Sequence, residues 1–198
     1  MFSCTTYRVH PRFDSARGID TYEICDGATL RPVGCAEEVP PAKLARWVRG
    51  ALGRNLLRSR VRVYATDQNM PAFSLQEVRS CWSPRVEVRD SDNVSLCSFE
   101  GKFATVGGGF TVLGSRNQVL AAVENEPGTW RYFFRTCQGR QIGTIVDEVS
   151  FHPPRGTAGH YRIDLSPNDP VDAENPGRCR LWLLAATLAL DLIYRDRV

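Results

Sequence analysis

The most constraining feature of this chain is an apolar stretch near its C-terminus. In Leu181–Ile193 only Thr187 and Asp191 are polar, so the helix predicted over 178–194 is apolar on nearly every side. A helix of that kind is either enclosed by protein or inserted in a membrane. The stretch is shorter than the roughly 20 residues needed to cross a bilayer. It therefore predicts a helix buried inside a closed sheet, with a short membrane anchor as the alternative.

Short β-type segments separated by turn signals dominate the rest of the chain. Val86 and Val88 alternate with charged residues, which is the pattern of a strand with one buried face. Turn signals centred near residues 68, 91, 115 and 138 are about 23 to 24 residues apart, a regularity typical of consecutive hairpins. About six hairpins, and hence roughly a dozen strands, need closure or a second layer to remove exposed edges.

Composition constrains the function less than the fold. The 198 residues are 42% apolar and 24% charged, with a net charge of +3. This fits one globular domain over 1–198 and makes nucleic acid an unfavoured partner. The seven cysteines include no Cys-x-x-Cys pair, so the usual zinc spacing is missing. No secretory signal follows Met1, and we expect reduced thiols in a cytoplasmic or peripherally membrane-bound protein.

A basic segment, 40–58, interrupts the hairpin rhythm and predicts an amphipathic helix. It opens with Pro40-Pro41, and apolar residues that include Leu44 and Trp47 recur at helical spacing. The residues predicted to contact anionic lipid are Lys43, Arg46, Trp47, Arg49, Arg54 and Arg58. The alternatives are a solvated helix whose apolar face covers one end of the barrel and, least favoured, a nucleic-acid surface.

Nine motifs, individually weak, follow one another in a characteristic order. They are Thr21–Ile24 with Asp26–Gly27, Gly34–Glu38, Arg60–Tyr64 with Asp67, Val86–Val88 with Leu96, Phe110–Leu113, Trp130–Phe134 with Gly139, Ile142–Ile145, Tyr161–Leu165, and Leu181–Tyr194. In this order the chain resembles the phospholipid scramblase and tubby-like C-terminal superfamily, in its scramblase-like branch with the plant LURP-one-related proteins. The resemblance implies a closed antiparallel barrel of 12 strands around a central helix. Lipid scrambling or membrane-linked signalling is the implied activity.

The resemblance also implies a candidate calcium site before the last helix. Of the acidic residues there, only Asp169 and Asp172 are carried over as candidate ligands. Calcium takes six to eight oxygen ligands, and this run lacks the alternating carboxylates and central glycine of a calcium loop. We therefore expect no tight calcium binding and no other cofactor; a solvated loop that caps the helix is the alternative.

No catalytic constellation is visible in the sequence. The three histidines, His10, His152 and His160, have no nucleophile or carboxylate at a motif spacing. Gly107-Gly108-Gly109 precedes a strand rather than a helix, which favours a glycine turn over a phosphate loop. The sequence predicts a non-enzymatic protein that binds, or even translocates, phospholipid. A scaffold for protein partners is the alternative, and a hydrolase would need a cleft that brings His160 together with carboxylates.

Overall fold

Twelve strands and one helix form the described part of the chain. The computed structural model describes residues 3–17, 19–39, 59–66, 68–78, 83–101, 109–148, 160–166 and 177–194. The elements are β1 (Thr6–Asp14), β2 (Ile19–Asp26), β3 (Pro32–Glu38), β4 (Arg60–Ala65), β5 (Phe73–Val78), β6 (Arg85–Asp90), β7 (Ser95–Gly101), β8 (Gly109–Gly114), β9 (Val119–Asn125), β10 (Arg131–Thr136), β11 (Gln141–Asp147), β12 (Tyr161–Leu165) and α1 (Arg178–Tyr194).

The strands close into one barrel. Each strand pairs antiparallel with its neighbours in sequence, and β1 pairs with β12 to complete the ring. Closure of this kind leaves no strand edge unpaired, which explains how so many strands coexist in one domain. The predicted fold class, a closed antiparallel 12-strand barrel around a C-terminal helix, is confirmed.

Alternation along each strand separates the core from the outer surface. On β6, Val86 and Val88 are fully buried. The residues that alternate with them, Arg85, Glu87 and Arg89, face outward and are half-buried. The same period of two recurs on the other strands, so the inner faces form a continuous apolar lining.

Helix α1 fills the inside of this barrel. Its residues Leu183 and Leu184 are fully buried, and the Trp182 ring stacks on Phe134 of β10 with centroids 6.3 Å apart. A side chain at Gly143 of β11 would meet Leu183 at 2.7 Å, so glycine there allows the close approach of the helix. Among the described residues, no helix is both long enough and apolar enough to cross a membrane.

Both polar residues within the apolar stretch of α1 have hydrogen-bond partners. The Thr187 hydroxyl donates to the Leu183 carbonyl at 2.9 Å. The buried Asp191 carboxylate accepts a hydrogen bond from the Tyr22 hydroxyl at 2.5 Å. An acidic residue in such a helix requires a partner. The structure supplies a tyrosine from β2.

The barrel has two unlike ends. Helix α1 begins at what we call the hairpin end, where the connections β2–β3, β4–β5, β6–β7, β8–β9 and β10–β11 lie. It ends at what we call the tail end, which carries the connections β1–β2, β3–β4, β5–β6, β7–β8, β9–β10 and β11–β12. All the turn signals recognised in the sequence lie at the hairpin end. The 23 to 24 residues between successive signals contain two antiparallel strands, so each period brings the chain back to the same end of the barrel.

Candidate membrane-docking surface

The two sites predicted from sequence lie outside the described residues. The basic segment, with Lys43, Arg46, Trp47, Arg49, Arg54 and Arg58, falls within 40–58, and the candidate calcium ligands Asp169 and Asp172 fall within 167–176. The described residues that flank the basic segment, Val39 and Ser59, are at the tail end. Those that flank the acidic run, Ser166 and Gly177, are at the hairpin end.

The hairpin end exposes a series of large apolar side chains. Four of the six exposed large apolar residues in the described part of the chain lie there, one at each of four neighbouring turns. They are Leu30 (56% exposed), Met70 (67%), Val94 (59%) and Val119 (53%). With adjacent strands about 4.8 Å apart, neighbouring turns at one end of a barrel lie about 10 Å from each other. The four side chains therefore follow one arc of the barrel rim.

The β4–β5 and β6–β7 turns on this arc are in direct proximity. Residues 68–72 and Ser91 line a shallow depression of about 460 Å³ between the two turns. Met70, the most exposed of the four apolar residues, lines it. An exposed apolar arc of this kind is typical of surfaces that contact a partner or a membrane.

Exposed arginines accompany the apolar residues. Four exposed arginines lie in the described connections of the hairpin end or at the start of α1, namely Arg31, Arg116, Arg140 and Arg178. The Arg178 guanidinium also lies over the Trp182 ring, 4.7 Å from its centroid. Apolar side chains interspersed with arginine are the combination that binds an anionic lipid surface, through apolar burial together with charge attraction.

The carboxylates at the hairpin end are mostly used to hold its turns. Asp26 accepts hydrogen bonds from the Ala28 and Thr29 amides at 2.8 and 3.1 Å, which keep the pKa of its carboxyl below the ordinary value. Asp90 accepts the Val94 amide at 2.8 Å. Asp92 is the one exposed carboxylate residue among those described at this end.

Leu30 has an unusual backbone conformation for its residue type. Its φ of 58° lies in the left-handed region, which the neighbouring turns occupy with Asn93, Asn117 and Gly139. A leucine in this conformation costs about 1–2 kcal/mol relative to a relaxed residue. Leu30 therefore keeps an exposed apolar side chain at a strained backbone position of the hairpin end.

The tail end differs because polar groups are buried inside it. Asp20, Glu38 and Asp191 are at most 4% exposed, and Ser59 donates to Glu38 at 3.2 Å. Burial raises the pKa of the Tyr161 hydroxyl well above its ordinary value, and the nearby Asp191 and Asp147 raise it further. The Asp191 and Glu38 carboxylates each accept a hydrogen bond inside the barrel, from Tyr22 and Ser59 respectively, which indicates a structural role.

Sequence reasoning missed a contact between two histidines. His10 on β1 and His160, immediately before β12, have Nδ1 atoms 3.1 Å apart on the outer face of the barrel. Glu148 lies beside them and pairs with Arg8 and Arg162 at 3.8 and 3.6 Å. Glu148 lies across from His160, since its amide donates to the His160 carbonyl at 2.7 Å, but both residues are on the outer wall of the barrel and not in the cleft that a hydrolase would require. Closure of β1 on β12 creates this contact, and no local motif could signal it.

Comparison with known proteins gives no match to a family model, to a curated protein or to a solved structure.

Proposed function

We propose that this chain is a scramblase-like barrel protein of the tubby-like superfamily that binds phospholipid at a membrane surface. The closed 12-strand barrel around an apolar C-terminal helix is the architecture that the sequence resemblance implies. The observation that carries the proposal is the arc formed by Leu30, Met70, Val94 and Val119 with its exposed arginines.

The packing of the interior restricts where lipid binds. Helix α1 fills the described part of the barrel, and Leu184, Ala185 and Ala186 at its centre are fully buried. An acyl chain in that space would have to replace the helix. The proposal therefore places the phospholipid against the outer surface at the hairpin end.

The energetic contribution of the arc is sufficient for reversible binding. Fully burying a leucine or methionine side chain is worth about 1.5–3 kcal/mol, and each arginine near an anionic surface adds about 1 kcal/mol. Leu30 and Met70 would insert partly into the headgroup region while two or three arginines contact anionic lipid. Because the arginine contacts are electrostatic, the affinity for the membrane should depend on salt and on anionic lipid.

Vesicle cosedimentation tests the proposal. The full chain is mixed with phosphatidylcholine vesicles with and without phosphatidylserine, at low and high salt. Leu30→Ser with Met70→Ser is compared with Phe13→Ser and Trp130→Ser, because Phe13 and Trp130 are the exposed large apolar residues described at the tail end. We expect the wild type to bind only the anionic vesicles, the hairpin-end pair to bind about tenfold more weakly, and the tail-end pair to bind like the wild type.

Other results of the vesicle assay would indicate a different function or a different contact surface. Wild-type protein that ignores anionic vesicles at low salt would contradict the lipid proposal and favour the protein scaffold. Loss of binding in the tail-end pair alone would move the contact to the opposite end. A calcium series in the same assay tests Asp169 and Asp172, and we expect binding without a calcium requirement.

A further inference from the structure

The two histidines in contact sit within the packed outer wall of the barrel. Their Nδ1 atoms are 3.1 Å apart, and the ring centroids are 5.4 Å apart with the planes at 63°. His10 and His160 are both half-buried, and each belongs to or adjoins a strand of the closing pair β1 and β12. The backbone therefore holds the two rings in place.

Strand register places a carboxylate on each side of this pair. Glu23 of β2 lies directly opposite His10, and the Glu148 amide donates to the His160 carbonyl at 2.7 Å. Glu148, His160, His10 and Glu23 thus form one row on the outer face: Glu148 directly follows β11, His160 directly precedes β12, and the other two lie on β1 and β2. Such a row combines imidazole and carboxylate, two of the ligand types that proteins use for transition metals.

We propose that His10 and His160 bind a divalent transition-metal ion through their Nδ1 atoms, with Glu148 as the adjacent carboxylate ligand. Metal–imidazole bonds of about 2.0–2.1 Å place two nitrogens about 2.9 Å apart at a square-planar angle and about 3.3 Å apart at a tetrahedral angle. The observed separation of 3.1 Å lies between these two values. The centroid separation of 5.4 Å shows that the two nitrogens point almost straight at each other, so both rings must tilt for their lone pairs to converge on one ion.

The two carboxylates differ in their freedom to take part. The Glu23 carboxylate is held by Arg12 at 2.6 Å. The Glu148 carboxylate meets its two arginines only at 3.6 and 3.8 Å, distances longer than a normal hydrogen bond. Glu148 can therefore turn towards the metal more easily. No three metal-binding side chains already converge among the described residues, so the two histidines form the anchor, the Glu148 side chain has to turn to reach the ion, and water completes the coordination.

The competing explanation is a simple hydrogen bond in which one imidazole donates to the other. Calorimetric titration of the untagged full chain with Cu²⁺, Ni²⁺ and Zn²⁺ separates the two. The titration uses a Cys35→Ser, Cys137→Ser background, because both thiols are exposed and bind the same ions. We expect one ion per chain, with Cu²⁺ the tightest of the three, and an affinity that falls towards acidic pH because the ligating imidazoles must be deprotonated.

Variants then assign the ligands. His10→Ala and His160→Ala should each weaken Ni²⁺ binding by about tenfold or more, and Glu148→Gln by a smaller factor. Glu124→Gln is the matched control, since Glu124 is another outer-face carboxylate paired with an arginine, Arg135 at 3.5 Å. It should leave Ni²⁺ affinity unchanged.

An NMR titration of the wild-type protein tests the site without variants, which could misfold. Substoichiometric Ni²⁺ should broaden amide resonances around His10 and His160 before all others. Absence of one-to-one binding, loss of binding on cysteine replacement, affinity that is indifferent to both histidine variants, or broadening centred elsewhere would each overturn the proposal.

Discussion

The two ends of the barrel differ in where they place apolar and polar side chains. At the hairpin end the strands are joined by short connections of at most seven residues, 66–72 being the longest, yet Leu30, Met70, Val94 and Val119 stay exposed. At the tail end the connections include the long stretches 39–59 and 148–160, and polar side chains such as Asp191 are buried. Folding alone favours neither an exposed apolar arc nor buried carboxylates. On the proposed function, the hairpin end is shaped by contact with a membrane surface, whereas the buried polar groups of the tail end complete the interior.

The largest loss of stability should come from placing a charge on the buried helix α1. Leu184 is fully buried in α1, so Leu184→Asp would bury an unpaired carboxylate and destabilise the fold by more than about 4–5 kcal/mol. Circular dichroism should show an unfolded chain. Val119→Asp at the exposed hairpin end serves as the control and should fold normally. Native-like folding of the Leu184 variant would contradict the enclosed helix.

Alkaline pH should destabilise both halves of the barrel. Burial raises the pKa of Tyr161 near the tail end and of Tyr7 near the hairpin end above their ordinary value. Unfolded tyrosines lose their protons above about pH 10 while these native ones keep them, so stability is intact below that pH and falls above it. The loss is about 1.4 kcal/mol per pH unit for each group.

Thermal unfolding across alkaline pH measures this effect. Tyr161→Phe and Tyr7→Phe should each make the decline less steep. If spectrophotometric titration showed all six tyrosines ionising near pH 10 in the folded protein, the burial argument would be wrong.

A reciprocal exchange at two hairpin-end turns separates stability from binding. Leu30 and Asn117 both adopt a left-handed backbone, with φ of 58° and 61°, and asparagine tolerates it better than leucine. Leu30→Asn should stabilise the fold by about 1 kcal/mol and weaken vesicle binding. Asn117→Leu should do the reverse. Urea denaturation and cosedimentation of both variants test this, and parallel changes in stability and binding would argue against a docking role.

The smallest stability effect is expected for the basic segment. Replacing Arg46, Arg49 and Arg54 together with glutamine should change the free energy of unfolding by less than about 0.5 kcal/mol, as is usual for surface charges. Vesicle binding should be largely retained if the hairpin end carries the contact. Loss of binding here, with the hairpin-end variants unaffected, would assign the contact to 40–58 instead.

Local patterns in the sequence were sufficient to predict the architecture. The period of two in segments such as 85–90, the regular turn signals and the apolar stretch Leu181–Ile193 depend only on residues close in sequence. They predicted the strands, the hairpins and the enclosed helix. The location of the exposed apolar arc could also have been predicted. Leu30 and Val94 adjoin turn signals, and the common period of these signals places the turns at one end of the barrel.

Long-range contacts could not be predicted in the same way. His10 and His160 are 150 residues apart, and Tyr22 and Asp191 are 169 apart. Both contacts depend on which strands close the barrel and in which register. A single sequence contains no local signal for that register, so the histidine pair and the tyrosine partner of Asp191 emerged only from the structure.

Hydrogen–deuterium exchange of the wild-type protein with and without phosphatidylserine vesicles tests the docking claim most directly. It reports on both ends of the barrel in one experiment and needs no substitution. We predict that vesicles slow exchange in the hairpin-end turns 27–31, 68–72, 91–94 and 115–118, and leave residues 126–130 at the tail end unchanged. Slowed exchange confined to the tail end or to 40–58, with the hairpin-end turns unaffected, would contradict the account.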